Sequence, residues 1–168
     1  MSSRSVIHDT FTIERTYPVS PERVFSAFAS VEAKNVWGDT GNLEGVDDEL
    51  GATEFDFRAG GRERFAVKMD GVTFRYDALY YDIVPNERIV YAYEMYANDV
   101  RISVSVTTIQ FVEMDGGTAF TYTELGVYLD GFDGAEAPRF RQEGTTEMID
   151  NLKNYLAPNS IFELHDAD

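Results

Sequence analysis

A glutamate in a stretch of aromatic and β-branched residues is the side chain of this sequence best placed for acid or base chemistry. Glu124 follows Tyr122 by two positions, so a strand would direct both side chains to one face of a sheet. A carboxylate among aromatic rings loses its water, which favours its protonated form and suits a general acid or base. Glu124 is therefore the one candidate catalytic residue. Alternatively, Glu124 faces outward and forms an ordinary cross-strand ion pair. Arginines of neighbouring strands could pair with Glu124 or with Asp77; they are Arg62, Arg64, Arg75 and Arg101.

Tyrosines repeat at even spacings in the same part of the chain, as Tyr76 and Tyr80 and as Tyr91 and Tyr93. Period-two alternation places each pair on one face of a strand. Amphipathic rings with a few convergent polar groups are typical of a small-molecule pocket, whereas the alternative is a filled core whose hydroxyls reach the surface. We expect a ligand cavity lined by Phe28, Trp37, Phe65, Tyr76, Tyr80, Tyr91, Tyr93, Tyr122, Glu124, Met148 and Leu152.

Metal and cofactor sites are not expected. The two histidines, His8 before the first predicted strand and His165 in an acidic tail, have no ligand spacing, and the chain has no cysteine. Acidic runs at 47–49 and 130–136 carry the oxygen ligands that calcium prefers, but neither has EF-hand spacing. We interpret both runs as solvated loop charge.

Composition narrows the class of protein further. The chain has 168 residues, of which 43% are hydrophobic and 26% charged, as in a single globular domain. A formal charge of -16 repels phosphate backbones, so nucleic acid is not an expected partner. Neither a signal-peptide pattern nor an apolar run long enough to span a bilayer is present, and we expect a cytoplasmic protein that does not insert into membranes.

Short elements at the start of the chain must support this site. Alternation from Phe11 to Tyr17 predicts the first strand. Ser20-Pro21-Glu22 supplies an N-cap, a proline at the first helical position and a first-turn acid, which predicts a short helix. Residues 31–37 are expected to form a second short helix, followed by a glycine-rich acidic loop over 38–51.

The rest of the chain predicts a sheet and a long helix. Turn signals divide residues 53–127 into five or six antiparallel strands, at Gly60-Gly61, Asp70-Gly71, Pro85-Asn86, Asn98-Asp99 and Asp115-Gly116-Gly117. Apolar residues then recur every three or four positions from Phe140 to Leu156, ahead of Pro158. The prediction is an α+β fold in which a curved antiparallel sheet wraps around a long C-terminal helix. Residues 1–9 are expected to form an N-terminal tail, 10–157 one domain and 158–168 an acidic C-terminal tail.

The order of elements and several local sequences resemble the START-like, or SRPBCC, helix-grip superfamily, and within it the branch related to the C-terminal domain of activators of the heat-shock-90 ATPase. The resemblance spans roughly residues 12–156. Its carriers are Pro21-Glu22-Arg23-Val24-Phe25-Ser26-Ala27-Phe28, Trp37, Arg58-Ala59-Gly60-Gly61-Arg62-Glu63-Arg64-Phe65 and Pro85-Asn86-Glu87-Arg88-Ile89-Val90-Tyr91. One departure is Gly144-Thr145, where many relatives have Gly-Trp near the start of the last helix.

The resemblance implies a cavity between the sheet and the last helix, which different relatives use for lipids, polyketide-like compounds, hormones or a protein partner. Because a fold does not choose among these roles, we expect binding of a small apolar or amphipathic molecule without catalysis. The alternatives are a cyclase, dehydratase or hydrolase acting on an aromatic or polyketide-like substrate, and a chaperone-associated interaction module. A homodimer is compatible with the sequence, whereas a chaperone partner is not expected.

Overall fold

The computed structural model describes residues 4–38 and 54–157, which form one antiparallel sheet and three α-helices. The strands are β1 (Val6–Tyr17), β2 (Glu54–Phe55), β3 (Arg62–Met69), β4 (Val72–Val84), β5 (Arg88–Ala97), β6 (Val100–Met114) and β7 (Gly117–Leu129). The helices are α1 (Pro21–Ala29), α2 (Val31–Trp37) and α3 (Ala137–Leu156), with one 3-10 turn at Gly134–Glu136. The predicted α+β helix-grip fold is confirmed, including the two short helices after the first strand.

The strands form a curved open sheet in the order β1-β7-β6-β5-β4-β3-β2. Every pairing is antiparallel, and only the β1–β7 pair joins strands distant in sequence. The predicted turn signals separate the strands, and several adopt positive φ, such as 65° at Asn86 and 52° at Asn98. Asn and Asp tolerate this backbone region better than most residues, which explains their use in these tight turns.

The first strand is longer than its alternating pattern predicts. It begins at Val6 rather than Phe11, and residues 6–9 pair with residues 126–129 of β7. His8 is therefore an exposed strand residue opposite Val127 and not part of a preceding tail. Backbone hydrogen bonds between paired strands do not require a buried face. Residues 6–9 can therefore extend the strand although apolar and polar residues do not alternate there.

Both short helices have hydroxyl N-caps, and the first cap is the predicted one. Ser20 accepts a hydrogen bond from the backbone N–H of Arg23, and Ser30 accepts one from Ala33. The two helices are held together by the buried Trp37, whose Nε1–H donates to the carbonyl of Ala27 at 2.9 Å. This bond fixes the indole against α1 at one end of the sheet.

The two halves of α3 meet different surroundings. Its C-terminal half contributes Ile149, Leu152 and Leu156 to a packed core against the sheet, α1 and α2. Its N-terminal half covers the sheet less closely, and the space beneath it forms a cavity. Among the described residues, no helix combines the length and the apolar character that crossing a bilayer requires.

Candidate functional site

The cavity lies between the concave face of the sheet and the N-terminal half of α3, and its volume is about 510 Å³. This volume falls within the range of small-molecule sites. Most of its lining comes from aromatic and aliphatic side chains, with a few charged groups. The lining residues are Phe28, Lys34, Trp37, Gly38, Phe57, Glu63, Phe65, Met69, Phe74, Tyr76, Tyr80, Ile89, Tyr91, Tyr93, Met95, Ile102, Ile109, Tyr122, Tyr128, Phe132, Asp133, Ala137, Phe140, Arg141, Gly144, Thr145 and Met148.

Most of the residues that the sequence predicts for the cavity do line it, and two do not. Leu152 belongs to the packed core, one turn beyond the last lining residue of α3. Glu124 is fully buried and lies behind Tyr93 and Tyr122, with its carboxylate bonded to their hydroxyls instead of facing the open space. The residues placed on the wall are Phe28, Trp37, Phe65, Tyr76, Tyr80, Tyr91, Tyr93, Tyr122 and Met148.

Five tyrosines form one wall of the cavity, which we call the tyrosine wall: Tyr76, Tyr80, Tyr91, Tyr93 and Tyr122. The ring centroids of Tyr80 and Tyr91 are 5.8 Å apart, those of Tyr91 and Tyr93 6.1 Å, and those of Tyr93 and Tyr76 4.9 Å. Such separations are typical of interacting aromatic pairs. Four of the rings thus form a continuous aromatic surface, which Tyr122 joins through its hydroxyl, 3.3 Å from that of Tyr91.

Burial keeps the tyrosine wall uncharged. Desolvation is the largest cause that raises the pKa of each of its five phenols above the ordinary value. The carboxylate of Glu63 raises the pKa of Tyr80 further, and that of Glu124 does the same for Tyr93. The hydroxyls are neutral at pH 7, as free phenols are, and burial keeps them neutral to higher pH. A neutral hydroxyl can both donate and accept hydrogen bonds.

An arginine of α3 organises one polar cluster, which we call the Arg141 cluster: Arg141, Glu124, Tyr93, Ser103 and Ser105. Nη1 of Arg141 donates to the Tyr93 hydroxyl at 2.8 Å and to Ser105 at 3.3 Å, and Nη2 donates to Ser103 at 2.7 Å. The Tyr93 hydroxyl in turn donates to Glu124 Oε1 at 2.5 Å. Glu124 Oε2 lies 3.7 Å from Arg141 Nη1, so the fully buried carboxylate faces the opposite charge of the partly exposed guanidinium.

The charge of Arg141 is retained in this cluster. Burial alone would lower the pKa of its guanidinium, but the neighbouring Tyr93, Glu124 and Tyr128 outweigh burial and the net direction is upward. The guanidinium also lies over the rings of Tyr93 and Tyr128, each at 5.4 Å from the centroid. Arg141 is thus a fixed cation on the cavity wall.

A second ion pair, which we call the Lys34 cluster, stands at the α2 end of the cavity. Nζ of Lys34 donates to both carboxylate oxygens of Glu63, at 2.7 and 2.6 Å, and the Tyr80 hydroxyl donates to the same carboxylate at 2.6 Å. Glu63 is 6% exposed, yet both members of the pair line the cavity. A buried carboxylate is tolerated here because a cation and a hydroxyl satisfy it.

The cavity meets solvent at the end where β3, β4 and the loop before α3 come together. Met69 at the end of β3 and Phe140 in the first turns of α3 line the cavity and are also exposed, by 58% and 43%. Phe132 of the loop contacts Phe74 of β4 at 6.1 Å between ring centroids. Asp133 lines the same end and is exposed, so its charge is solvated.

The predicted arginine partners of Asp77 are found, but the predicted partner of Glu124 is wrong. Arg64 and Arg75 bind Asp77 at 2.6 and 3.1 Å, whereas the cation opposite Glu124 is Arg141 of the helix. The helix faces the inside of the sheet, so its side chains reach a carboxylate that the outward-facing arginines of the strands cannot approach.

The histidines and acidic runs form no metal site in the part of the chain that the structure describes. There, no three histidine, aspartate or glutamate side chains come close enough together to hold an ion. The run at 130–136 forms the tight turn before α3, with positive φ at Asp130 and Asp133. The acidic run at 47–49 and His165 lie outside the described residues.

The comparisons with known proteins agree with this architecture. The family model described as Activator of Hsp90 ATPase homolog 1-like protein matches residues 18–157. The chain belongs to this family. This membership confirms the resemblance seen in the sequence. Members of the family share the helix-grip fold and generally bind hydrophobic ligands. No curated protein matches the chain.

Two solved structures share more than 40% sequence identity with this chain. An uncharacterised protein from Rhizobium leguminosarum is 43% identical, with a TM-score of 0.81 over 92% of this chain and 97% of that one. The Mll3558 protein from Rhizobium loti is 42% identical, with a TM-score of 0.78 over 90% and 99%. DynU16, from the dynemicin biosynthetic locus, is 15% identical with a TM-score of 0.59 over 88% of this chain and 47% of that one, a likeness of fold alone.

Proposed function

We propose that the protein binds a small apolar or amphipathic molecule in the cavity beneath the N-terminal half of α3. The observation that carries the proposal is the cavity itself, about 510 Å³ of space walled by aromatic rings beside an otherwise packed core. Side chains that surround unfilled space lack contact partners on one side and lose those dispersion contacts. A ligand in the cavity would supply such contacts where the protein's own side chains leave a gap.

The distribution of polar groups also supports a binding site. The wall is mainly apolar, and its charged groups stand at its α2 end and beside α3, where Lys34 and Arg141 each have their own counter-ion. A pocket of this kind gains affinity from its apolar surface and fixes orientation through its few polar groups. Because Glu124 contacts hydroxyl groups behind the wall, this geometry favours binding over acid or base catalysis on a ligand.

A probe that fluoresces differently in apolar surroundings tests the proposal directly. The neutral naphthalene ketone Prodan should shift its emission to shorter wavelength and saturate at one equivalent when titrated into the protein. The blocking variant is Thr145→Trp, because Thr145 is buried and lines the cavity. It introduces an indole where this chain departs from many relatives.

The matched control is Thr146→Trp, one position along the same helix. Thr146 does not line the cavity, and its hydroxyl donates to the carbonyl of Gln142 on the outer side of α3. We expect Thr145→Trp to weaken Prodan binding at least tenfold and Thr146→Trp to leave it within twofold. Equal binding by both variants would place the probe elsewhere and would contradict the proposal.

A further inference from the structure

The two cations on the cavity wall, Lys34 and Arg141, each already have a carboxylate as counter-ion. Lys34 places its charge on both oxygens of Glu63, and Arg141 faces the fully buried Glu124. Each pair is therefore neutral as a unit. Within residues 4–38 and 54–157, the remaining charged group of the lining is Asp133, which is exposed to water at the mouth.

Among the lining residues that the structure describes, a charged ligand would find no free counter-ion on the inner wall. Taking an ion out of water costs several kcal/mol even in real proteins, and only a free opposite charge with good geometry offsets it. An anion would also approach a molecule whose formal charge is -16. The electrostatics of the wall thus select against ionised ligands of either sign.

Arg141 nevertheless has hydrogen-bonding capacity left. A guanidinium has five N–H donors, and three hydrogen bonds from Nη1 and Nη2 go to Tyr93, Ser103 and Ser105. Among the described residues the Nε–H has no acceptor, and the side chain, 17% exposed, lines the cavity. A neutral acceptor oxygen of a ligand would satisfy this donor without adding charge.

Building on the binding function proposed above, we propose that the cavity selects an uncharged, flat molecule that places a carbonyl or similar neutral acceptor oxygen against Arg141. The rings of the tyrosine wall supply the apolar surface for a planar ligand, with Tyr93 joining that wall to the Arg141 cluster. The cavity of about 510 Å³ is within the range of sites that hold drug-sized small molecules.

Four naphthalenes that differ in one β-substituent test this selectivity on the wild-type protein. They are methyl naphthyl ketone, the hydrocarbon isopropylnaphthalene, the anion naphthoate and the cation naphthylmethylammonium. Calorimetric titration at pH 8 should rank the ketone tightest, at least tenfold above the hydrocarbon, because a hydrogen bond to a charged group contributes about 1.5–3 kcal/mol. The two ions should bind at least tenfold more weakly than the ketone.

A charge-balanced double variant tests whether Arg141 causes the preference for the ketone over the hydrocarbon. Arg141→Met combined with Glu124→Gln removes the cation and its counter-charge together, and should bring the ketone to within threefold of the hydrocarbon. Arg139→Met is the control, because Arg139 pairs with the exposed Glu136 and Glu143 on the outer side of α3. It should preserve the preference.

The possible results separate this inference from the proposed function. If the hydrocarbon binds but the ketone gains nothing, or if naphthoate binds most tightly, the selectivity is refuted while the cavity still binds ligands. If the double variant retains the full preference for the ketone, Arg141 is not the anchor. If none of the four binds the wild-type protein, both the inference and the proposed function fail.

Discussion

Removing Arg141 alone should destabilise the protein more than removing Arg141 and the charge of Glu124 together. Arg141→Met leaves a fully buried carboxylate without its cation, and Oε2 of Glu124 already has no hydrogen-bond partner among the described residues. Breaking a buried pair on one side costs about 3–5 kcal/mol. That loss is a large part of the roughly 5–15 kcal/mol by which domains are stable.

The double variant Arg141→Met/Glu124→Gln should recover most of this loss. It keeps the cluster neutral, and the amide of glutamine can still accept from the Tyr93 hydroxyl that now bonds Glu124 at 2.5 Å. We expect it to fall within about 2 kcal/mol of wild type, since neutral replacements of buried ion pairs are often tolerated. The coupling energy between the two positions should then exceed about 1.5 kcal/mol, well above the scatter of independent sites.

Urea unfolding measures this cycle through the single tryptophan, Trp37, which is 2% exposed and will report loss of its packing. With a denaturant slope of about 1–3 kcal/mol/M, Arg141→Met should lower the midpoint by one molar or more. The control Arg139→Met removes exposed ion pairs only and should change stability by less than about 1 kcal/mol. Additive effects of Arg141→Met and Glu124→Gln would refute the claim that these two opposite charges stabilise each other.

Three further predictions concern two glycines and the pH dependence of stability. Gly144→Ala should raise the free energy of unfolding by about 0.5–1 kcal/mol, because a Cβ there meets open space within a helix, and a melting temperature that falls would contradict this. Gly61→Ala should lower it, since its Cβ would lie 2.0 Å from the Asp56 carbonyl oxygen, and unchanged stability would show that the turn yields easily. The tyrosines of the wall stay protonated in the folded protein, whereas phenols in the unfolded chain ionise near pH 10. Above pH 10 each of these tyrosines should therefore lower the free energy of unfolding by about 1.4 kcal/mol for every further pH unit. Ultraviolet titration should show these phenolates appearing only together with unfolding, and reversible ionisation of all tyrosines in the folded protein near pH 10 would contradict the burial of the wall.

Local signals carried the prediction of the fold. Turn residues such as Asn86 and Asn98 end strands because few side chains tolerate their backbone angles, and Ser20 marks a helix start by its hydroxyl. The tyrosine wall was predictable for the same reason, because alternation along a strand fixes which side chains share a face. These rules act within one element and need no knowledge of its neighbours.

The charged clusters could not be predicted in the same way, because they join elements far apart in the chain. Lys34 and Glu63 meet across 29 positions, and Arg141 reaches residues of β5, β6 and β7. Such contacts depend on how the helices sit on the sheet. One signal did exist: Arg141, Thr145 and Met148 follow one another at intervals of four and three, which places the arginine on the inner face of α3. An arginine at such a position is usually interpreted as part of a solvated face, and its role emerges only when Glu124 is found buried opposite it.

Native mass spectrometry of freshly purified protein can detect whether the cavity beneath α3 holds a small molecule. We expect a reproducible additional mass of a few hundred daltons that solvent extraction releases. Thr145→Trp should remove this mass, whereas Thr146→Trp should retain it. A ligand recovered in this way should be uncharged and carry an acceptor oxygen. An additional mass that persists equally in both variants would contradict the claim, because the bound molecule would then lie outside the cavity.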